Sequence, residues 1–391
     1  MYVDFTPEEK TMRDDLRRYL AGLVTGDVLD EVRGSDGGGP LYTQVLRQLG
    51  ADGWLGIGWP IEYGGRARPA IEQFIFFDEV QRAGFPIPFL TLCTVGPTLM
   101  KFGSDAQKAE SLPRILRGEL HFAIGYSEPN AGTDLASLTT RAVRDGDDYV
   151  INGQKVFTSL AEYADLIWLA VRTDPAAPKH KGISIVMIDR KAPGVSVTPI
   201  HTLGGNRTNL VYLEDVRVPV TRRVAKENEG WRLITTQLNH ERVALLAPGP
   251  VARFVEETVA WAREARRADG RRVLDEPWVQ MALARATAKI EALRLLAWRQ
   301  AWNVGKDKLD PAESSTVKVF GSESFVAIYQ GLLEVLGPPG ALKAGSPGAL
   351  LRGRVETYYR TTLVLSFGGG TNEIQRDLIA QLGLGMPRAP R

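Results

Sequence analysis

The chain has 391 residues, 44% of them hydrophobic, and this length exceeds what one ordinary core organises, so we expect two or three domains. Its 48 Lys and Arg residues nearly balance 46 Asp and Glu residues, which excludes an electrostatic preference for nucleic acid or an anionic membrane. The one cysteine, Cys93, excludes an internal disulfide and a thiolate metal cluster.

The first part of the chain is predicted to be helical. Thr6, Pro7 and the acidic pair that follows form a helix-start pattern, so we expect a helix from there towards Gly22. Further helical patterns occupy residues 41–49, 71–82, 91–102 and 105–116, with Gly- and Pro-rich joints between them. These patterns predict an all-helical first domain at residues 1–118.

The middle of the chain changes to short β-rich runs. They fall at residues 149–151, 166–172, 183–189, 195–199 and 209–213. Asp145-Gly146-Asp147 and Asn152-Gly153 are interpreted as turns between strands. We therefore predict an antiparallel β domain at residues 119–225.

Long helical patterns return after the middle region, at residues 254–267, 278–302 and 314–336. They predict a C-terminal four-helix-type bundle at residues 226–391. The fold class expected from the whole chain is therefore multi-domain α+β.

Targeting and metal-binding signals are not evident in the sequence. The first residues show no basic region followed by an apolar stretch, and no later segment is expected to approach the ~20 apolar residues of a membrane span. We expect a cytoplasmic protein without a membrane partner. His121, His180 and His201 have no metal-ligand spacing, so no metal is expected, and Cys93 is interpreted as a core residue.

Residues 228–245 carry an acidic residue on the apolar side of a predicted helix. Four apolar residues would share one face of that helix: Trp231, Ile234, Leu238 and Leu245. Glu241 falls on the same face. Because desolvating a charged carboxylate costs roughly several kcal/mol, Glu241 must be neutralised, paired or used chemically. It is a candidate general base, and a buried ion pair with Arg242 or another helix is the alternative.

Three motifs resemble segments of the acyl-CoA dehydrogenase family and occur in the family's order. Residues 127–134 (Ser-Glu-Pro-Asn-Ala-Gly-Thr-Asp) resemble its flavin segment, and residues 151–159 (Ile-Asn-Gly-Gln-Lys-Val-Phe-Thr-Ser) resemble its second flavin strand. Residues 370–376 (Gly-Thr-Asn-Glu-Ile-Gln-Arg) resemble its C-terminal segment. The resemblance covers the whole chain and implies the fold of that family, with FAD as cofactor.

The resemblance also implies which residues contact the cofactor. They are Tyr126, Ser127, Gly132, Thr133, Phe157, Ser159, Thr371 and Glu373. Phe157 stands where many relatives place tryptophan, and Ser159 where they place threonine. Without the resemblance, residues 128–134 would be read as a surface turn and Phe157 as an ordinary aromatic of a strand core.

The family removes a proton α to a thioester carbonyl while a hydride leaves the β carbon for flavin N5, which yields a trans-2-enoyl-CoA. Many members place the catalytic glutamate immediately before the C-terminal Gly-Thr pair, but this chain has Gly369 there. Another branch carries its base in a helical Glu-Arg pair, which residues 240–243 (His-Glu-Arg-Val) match. The resemblance therefore implies that Glu241 is the base, with a pKa raised by apolar surroundings.

Further substrate contacts are implied by the same resemblance. The backbone N–H of Gly369, with a flavin ribityl hydroxyl, would polarise the thioester carbonyl. The expected substrate-binding residues are Thr133, Asn239, Arg242 and Gly370.

Two segments depart from the family pattern. Residues 261–265 (Trp-Ala-Arg-Glu-Ala) place alanine where relatives carry an arginine that reaches a neighbour's FAD, and residues 334–338 (Glu-Val-Leu-Gly-Pro) replace Gln-x-x-Gly-Gly. Proline lacks an N–H, and glutamate repels a phosphate. The subunit is therefore expected to complete its neighbour's flavin site poorly.

Residues 367–370 (Phe-Gly-Gly-Gly) and 387–391 (Pro-Arg-Ala-Pro-Arg) resemble segments of one particular subunit type. It is the base-bearing subunit of actinobacterial acyl-CoA dehydrogenases that act on steroid side-chain CoA esters as α2β2 assemblies, and the resemblance runs from end to end. This similarity implies a bulky, branched or steroid side-chain acyl-CoA substrate and a homologous partner subunit. A homotetramer is the alternative assembly, and an electron-transfer flavoprotein is the expected electron acceptor. A flavin oxidase or oxygenase of the same fold, and a subunit that mainly scaffolds its partner, stay open as alternatives.

Overall fold

The computed structural model describes residues 4–33, 37–244, 247–306, 308 and 310–388, with the side chains of residues 238–244 outside the description. The helices are α1 (Pro7–Leu23), α2 (Gly26–Glu31), α3 (Pro40–Ala51), α4 (Ala70–Ala83), α5 (Gly96–Phe102), α6 (Asp105–Leu116), α7 (Gly230–Ala244), α8 (Gly249–Glu264), α9 (Pro277–Val304), α10 (Pro311–Leu336), α11 (Arg354–Thr362) and α12 (Asn372–Leu378). The strands are β1 (Phe122–Gly125), β2 (Arg141–Asp145), β3 (Asp148–Lys155), β4 (Leu166–Arg172), β5 (Ile183–Asp189), β6 (Val195–His201), β7 (Arg207–Pro219) and β8 (Arg223–Val224).

The N-terminal helices begin where their capping residues predict. At the start of α1 the Thr6 hydroxyl accepts from the Glu9 backbone N–H at 3.2 Å, and the Glu9 carboxylate accepts from the Thr6 N–H at 2.8 Å. The predicted helix at residues 91–102 is instead divided, with a π-helical turn at Leu90–Val95 followed by α5. Pro97 in the first turn of α5 cannot donate a backbone hydrogen bond, which disfavours a regular α-helix at this position.

The middle of the chain forms a single eight-stranded sheet, in the order β6-β7-β3-β2-β4-β5-β8, with β1 paired to β4. Most pairings are antiparallel, as predicted, whereas β1 and β2 each pair with β4 in parallel. The prediction of a turn at Asn152-Gly153 is wrong, because both residues lie inside β3 at an irregularity in its pairing with β7. Gly153 has φ +152°, and a Cβ atom there would lie 2.7 Å from the Thr140 Cα, so this position accepts only glycine without a shift.

The buried hydrophobic side chains form three clusters. One joins the N-terminal helices to one face of the sheet and to α7, and includes Leu20, Phe76, Trp168 and Ile234. A second lies on the other face of the sheet, and a third lies among helices α8 to α11. The predicted domain boundaries fall in the connections between α6 and β1 and between β8 and α7.

Helix α10 is long and apolar enough to cross a membrane by length and composition, a test that core helices also pass. No segment of this kind was expected from the sequence. Half of its most apolar window is buried inside the protein, and it packs against α7, α8, α9, α11 and α12. We interpret its apolar composition as that of a core helix. Cys93 is buried, as predicted.

Candidate active site

The two segments that resemble flavin-binding motifs lie side by side. The Val156 N–H donates to the Ser127 carbonyl at 2.9 Å, and Lys155 Nζ lies 3.2 Å from the Tyr126 carbonyl. Residues 126–134 therefore continue from the end of β1 along the end of β3. This arrangement places Tyr126 and Ser127 next to residues 155 and 156, which directly precede Phe157.

A buried carboxylate fixes the shape of the first segment. Glu128 accepts hydrogen bonds from the backbone N–H groups of Thr139 and Thr140 at 2.6 and 2.9 Å and from Lys155 Nζ at 2.8 Å. A two-way backbone pairing between Glu128 and Ala131 closes the turn. The loop between Glu128 and Thr139 is thus held at both ends by the Glu128 side chain.

Lys155 and Glu128 form a coupled pair whose pKa values follow from burial and charge. Burial alone would raise the pKa of Glu128, but the nearby Lys155 and the donated hydrogen bonds lower it to about 2. Burial lowers the pKa of Lys155 to about 8, against the opposing effect of Glu128. Glu128 is therefore a carboxylate at neutral pH and serves as an anchor for the loop.

The outer surface of these two segments is open. Gly132 and Thr133 are exposed, and a Cβ atom at Gly132 would meet nothing within 4 Å. Phe157 has φ +57° and its side chain is 65% exposed, so it is not an ordinary aromatic of a strand core. Ser159 is half-buried, and its hydroxyl lies 3.4 Å from that of Thr208. An exposed aromatic ring beside an open turn can stack a planar ring and leaves backbone groups available to it.

Helix α7 packs directly on the end of β1. The Tyr126 hydroxyl donates to Gln237 Oε1 and accepts from Trp168 Nε1 at 3.1 Å, while Gln237 Nε2 donates to the Thr94 hydroxyl at 3.1 Å. Leu233, Ile234 and Gln237 are fully buried. Within the predicted range 228–245, α7 occupies Gly230–Ala244 with its inner face against the sheet, and residue 245 lies outside the described residues.

The side chains of Asn239, Glu241 and Arg242 lie outside the described residues. Their backbone belongs to α7, and residue 241 follows Gln237 by four positions. Since residues four apart in an α-helix lie on one face, position 241 is one turn beyond Gln237 on the inward side of α7.

The C-terminal motif forms a glycine-rich connection before α12. Gly369 and Gly370 have φ values of +68° and +95°. The Gly368 N–H donates to the Val364 carbonyl at 2.7 Å, whereas within the described part of the chain the N–H groups of Gly369 and Gly370 have no acceptor. These two N–H groups are therefore available to a ligand.

Thr371 and Glu373 lie at the start of α12. The Thr371 hydroxyl caps the helix by accepting from the Ile374 N–H at 3.3 Å. Glu373 is exposed, and the hydrogen bonds it accepts at the helix start lower its pKa, with weaker contributions from Arg376 and Lys318. Both side chains face a helix N-terminus, where backbone N–H groups favour negative charge.

The structure brings the sequence-derived site residues together in two groups. Tyr126, Ser127 and Phe157 share the end of the sheet that packs on α7, whereas Gly369 and Thr371 lie where α12 packs on α10. Helix α7 also packs on α10, but no hydrogen bond among the described residues links the two groups directly.

Sequence reasoning missed three buried polar residues of these groups: Lys155, Gln237 and Lys318. Each carries a signal that could have been used. Lys155 interrupts a strand, Gln237 precedes Glu241 by one helical turn, and Lys318 lies between valines in a largely apolar helix.

The segments that depart from the family pattern are also visible. Ala265 follows the last residue of α8, Glu334 is exposed in the last turn of α10, and Pro338 is exposed just after it. Neither Ala265 nor Pro338 can offer a hydrogen-bond donor from its side chain, and Pro338 has no backbone N–H. Among the described residues no group of three or more His, Cys, Asp or Glu side chains is arranged to hold a metal.

Sequence models of three acyl-CoA dehydrogenase domains match the chain: the N-terminal domain at residues 6–119, the middle domain at residues 123–216 and the C-terminal domain at residues 228–384. The chain therefore belongs to the acyl-CoA dehydrogenase family. It is an FAD-dependent oxidoreductase that dehydrogenates acyl-CoA thioesters.

Two similar proteins from Mycobacterium tuberculosis span the whole chain. Acyl-CoA dehydrogenase FadE26 is 52% identical over 400 residues, and acyl-CoA dehydrogenase FadE29 is 48% identical over 392 residues, each with 100% of both chains covered. Among solved structures, the Tcur3481-Tcur3483 steroid ACAD (acyl-CoA dehydrogenase) superposes with a TM-score of 0.94 at 51% identity, and the ChsE4-ChsE5 complex from Mycobacterium tuberculosis with 0.93 at 52%. Both comparisons cover 100% of this chain and of the matched chain.

Proposed function

We propose that Glu241 is the general base that removes the α proton of the acyl-CoA substrate. The hydrogen bond from Tyr126 to Gln237 carries this proposal. It holds α7 against the segment that resembles a flavin-binding motif, and Gln237 lies one helical turn before residue 241. A carboxylate on this inward face, with Leu233 and Ile234 fully buried on the same helix, would have its pKa raised by desolvation. A raised pKa suits a base that works near neutral pH.

The backbone N–H of Gly369 is proposed to polarise the thioester carbonyl. It has no acceptor within the described part of the chain, whereas the preceding N–H, that of Gly368, already donates to the Val364 carbonyl. A preorganised N–H directed at a developing oxyanion stabilises the charge that forms when the α proton leaves. Asn239, Arg242, Thr133 and Gly370 are the proposed substrate contacts.

The FAD site is proposed to be built from the residues of both groups. Tyr126, Ser127, Phe157 and Ser159 would hold the ring, and Gly132 and Thr133 the pyrophosphate. Thr371 and Glu373 would contact the cofactor from the start of α12. When bound, FAD supplies the hydride acceptor for the β carbon. The open, exposed surface at Phe157 and Gly132 fits such a group.

The proposed substrate is a bulky acyl-CoA, such as a branched or steroid side-chain thioester. Residues 368–370 are all glycine, so no side chain from this connection restricts the space in front of it. The steroid ACAD named above is 51% identical over the whole chain. Both observations favour a wide acyl pocket.

A homologous subunit is the proposed partner, in an α2β2 assembly. Glu334, exposed at the end of α10, would repel a phosphate, and Pro338 cannot donate to one. These residues make this chain a poor contributor to a neighbour's flavin site, so a different chain would supply the contacts. The ChsE4-ChsE5 complex, 52% identical in one chain, is an assembly of two named components.

An electron-transfer flavoprotein is the proposed electron acceptor. An oxidase of the same fold would instead be reoxidised by air without an added acceptor. Substrate-reduced enzyme is therefore mixed with aerated buffer, with and without the acceptor protein. Reoxidation that depends on the acceptor supports a dehydrogenase, and rapid reoxidation by oxygen alone supports the oxidase.

Glu241→Gln tests the proposed base. We expect kcat to fall by about 10²–10⁴-fold with FAD content unchanged, because the amide cannot accept the proton. Glu256→Gln, on the neighbouring helix α8 and exposed, is the matched control and should keep kcat. Unchanged turnover in Glu241→Gln would remove Glu241 from the mechanism and leave a scaffold role as the better explanation.

Co-purification tests the assembly. The chain is produced alone and with a homologous acyl-CoA dehydrogenase chain, and FAD per chain is measured from the visible spectrum and protein concentration. We expect little FAD alone and stable FAD in the mixed assembly. A homotetramer with one FAD per chain would contradict shared sites.

A further inference from the structure

One buried lysine contacts both ends of the glycine-rich connection. Lys318, on α10, is 0% exposed, and its Nζ atom donates to Asn372 Oδ1 at 2.7 Å and lies 3.4 Å from the Ser366 carbonyl oxygen. Ser366 precedes the connection and Asn372 begins α12 directly after it. The five intervening residues, 367–371, are thus held at both flanks by one side chain.

The acceptor on the α12 side is itself fixed. Asn372 is 4% exposed, and its Nδ2 atom donates to the Ser322 hydroxyl at 3.0 Å and to Glu323 Oε1 at 3.2 Å. Glu323 also pairs with Arg376 at 2.7 Å. Polar side chains of α10 therefore bind the first turn of α12 at several points, and Lys318 is the charged member of the set that is fully buried.

The connection between these flanks has little means of fixing its own conformation. Gly368, Gly369 and Gly370 lack side chains, and glycine populates positive and negative φ with similar ease. An N–H group stabilises an oxyanion only when its direction is set before the reaction. The direction of the Gly369 N–H must therefore be imposed by the residues on either side.

We propose that Lys318 is a positioning residue that holds the Gly369 N–H in the direction needed to polarise the substrate's thioester carbonyl. This inference rests on the proposed role of Gly369. The contacts to Ser366 and Asn372 offset part of the cost of burying a lysine nitrogen, and both hold the ends of the glycine connection. A lysine that only stabilised the bundle could make its contacts anywhere along α10, whereas these two contacts flank the proposed oxyanion donor.

Two variants remove the link from opposite sides. Lys318→Met keeps the length and apolar stem but deletes the donor, and Asn372→Ala deletes the acceptor while Lys318 stays. Ser315→Ala is the control, because Ser315 is fully buried on the same helix and its hydroxyl has no hydrogen-bond partner among the described residues. All three are prepared as FAD-loaded enzyme in its native assembly.

The readout is carbonyl polarisation itself. Cinnamoyl-CoA is bound to each enzyme, because the absorption band of this conjugated thioester moves to longer wavelength when its carbonyl is polarised. We expect the wild-type enzyme and Ser315→Ala to give the full shift. Lys318→Met and Asn372→Ala should lose most of this spectral shift. Their kcat should fall by about 10–100-fold, a smaller decrease than removal of a whole oxyanion donor causes, and KM should change little.

The outcomes separate this inference from the proposed function. A full spectral shift in Lys318→Met and Asn372→Ala would overturn the role of Lys318, whatever their stability. If Lys318→Met does not fold, Asn372→Ala decides alone. Glu241→Gln should keep the full shift while losing turnover, so that failure of the base assignment leaves the test of Lys318 intact. No shift in the wild-type enzyme would overturn the role of Gly369 and, with it, that of Lys318.

Discussion

The Nζ atom of Lys155 lies 2.8 Å from Oε1 of Glu128, and both side chains are buried. The pair joins β3 to the turn that begins at Glu128, and the same carboxylate accepts the N–H groups of Thr139 and Thr140. Removing one partner of a buried pair leaves the other charge without compensation. The pair therefore controls both stability and the shape of the proposed FAD segment.

We expect Lys155→Met to lower the free energy of unfolding by about 3–5 kcal/mol, because Glu128 would be left buried without its cation. FAD retention should fall as well. Urea unfolding and the FAD content of the purified assembly measure the two effects. Lys179→Met is the control, since its ion pair with Asp134 at 2.7 Å is exposed and should contribute only ~0–1 kcal/mol. Equal losses in the two variants would contradict the assigned importance of the buried pair.

Tyr126→Phe should weaken the contact between the sheet and α7. It removes the hydroxyl shared by Gln237 and Trp168 and leaves two buried polar groups unpaired, a cost of about 1–3 kcal/mol. Because this contact seats α7 one turn before Glu241, we expect kcat to fall in addition. Tyr149→Phe, which removes a hydrogen bond to Glu227 at the far side of the sheet, should lose stability but keep kcat. Thermal unfolding and steady-state kinetics compare the two variants.

Gly370→Ala should be destabilising for two separable reasons. Its φ of +95° disfavours a side chain, at a cost of roughly 1–2 kcal/mol, and a Cβ atom there would lie 2.6 Å from Gln375 Nε2. Gly345→Ala is the matched control, because its φ is +85° and nothing lies within 4 Å of the added atom. We expect Gly370→Ala to lose more stability than Gly345→Ala, and Gln375→Ala to narrow that difference. Equal free energies of unfolding would show that the close contact has no effect.

Asp78 should make stability depend on pH. Its Oδ1 atom accepts from the Gly249 N–H at 2.6 Å at the start of α8, beside a cavity of about 220 Å³. Burial raises its pKa to about 7, although the Gly249 hydrogen bond, Arg294 and Arg82 oppose the rise and Glu79 adds to it. The other charged groups that line the cavity are Asp4, Arg13, Arg17 and Glu256.

In the folded protein Asp78 therefore holds a proton between its ordinary pKa of 3.8 and about 7, where the unfolded chain does not. Stability should fall as pH rises through this interval, by up to ~1.4 kcal/mol per pH unit from this group. Asp78→Asn keeps an acceptor for Gly249 and should flatten the dependence between pH 5 and 7. Asp134→Asn, an exposed change, should keep the wild-type slope. Melting temperatures at pH 5, 6, 7 and 8 provide the comparison, and identical slopes for Asp78→Asn and wild type would contradict the assignment.

Elements that depend on local sequence were predicted closely. Strands β4 and β5 and helix α6 have the predicted bounds, and α1, α4 and α9 begin or end within a residue or two of them. Capping residues, Gly and Pro positions and the spacing of apolar residues act over one or two turns, so they can be read from the chain. The motifs around Glu128, Phe157 and Thr371 were recognised by their resemblance to segments of the family.

Long-range pairings could not be read in this way. The parallel pairing of β1 with β4 joins residues 44 positions apart, as with Phe122 and Leu166. β1 was not among the predicted strands, and the middle domain as a whole was predicted to be antiparallel. The irregularity at Gly153 lies in the pairing of β3 with β7, and the room for a side chain at Gly153 is limited by Thr140, just before β2. Both features depend on which strands pair and in which register, and no local sequence pattern specifies this.

The sequence by itself indicated the family and the order of helices and sheet, and it predicted that Glu241 lies on the apolar face of α7. Only the tertiary structure decided which polar groups are buried together: Tyr126 with Gln237, Lys155 with Glu128, and Lys318 with Asn372. The physical reason is that the cost of burying a polar group is set by its partner, and these partners lie between 27 and 111 positions apart in the chain. The type of a buried residue indicates that it needs a polar partner, but the packing of helices and strands determines which residue that partner is.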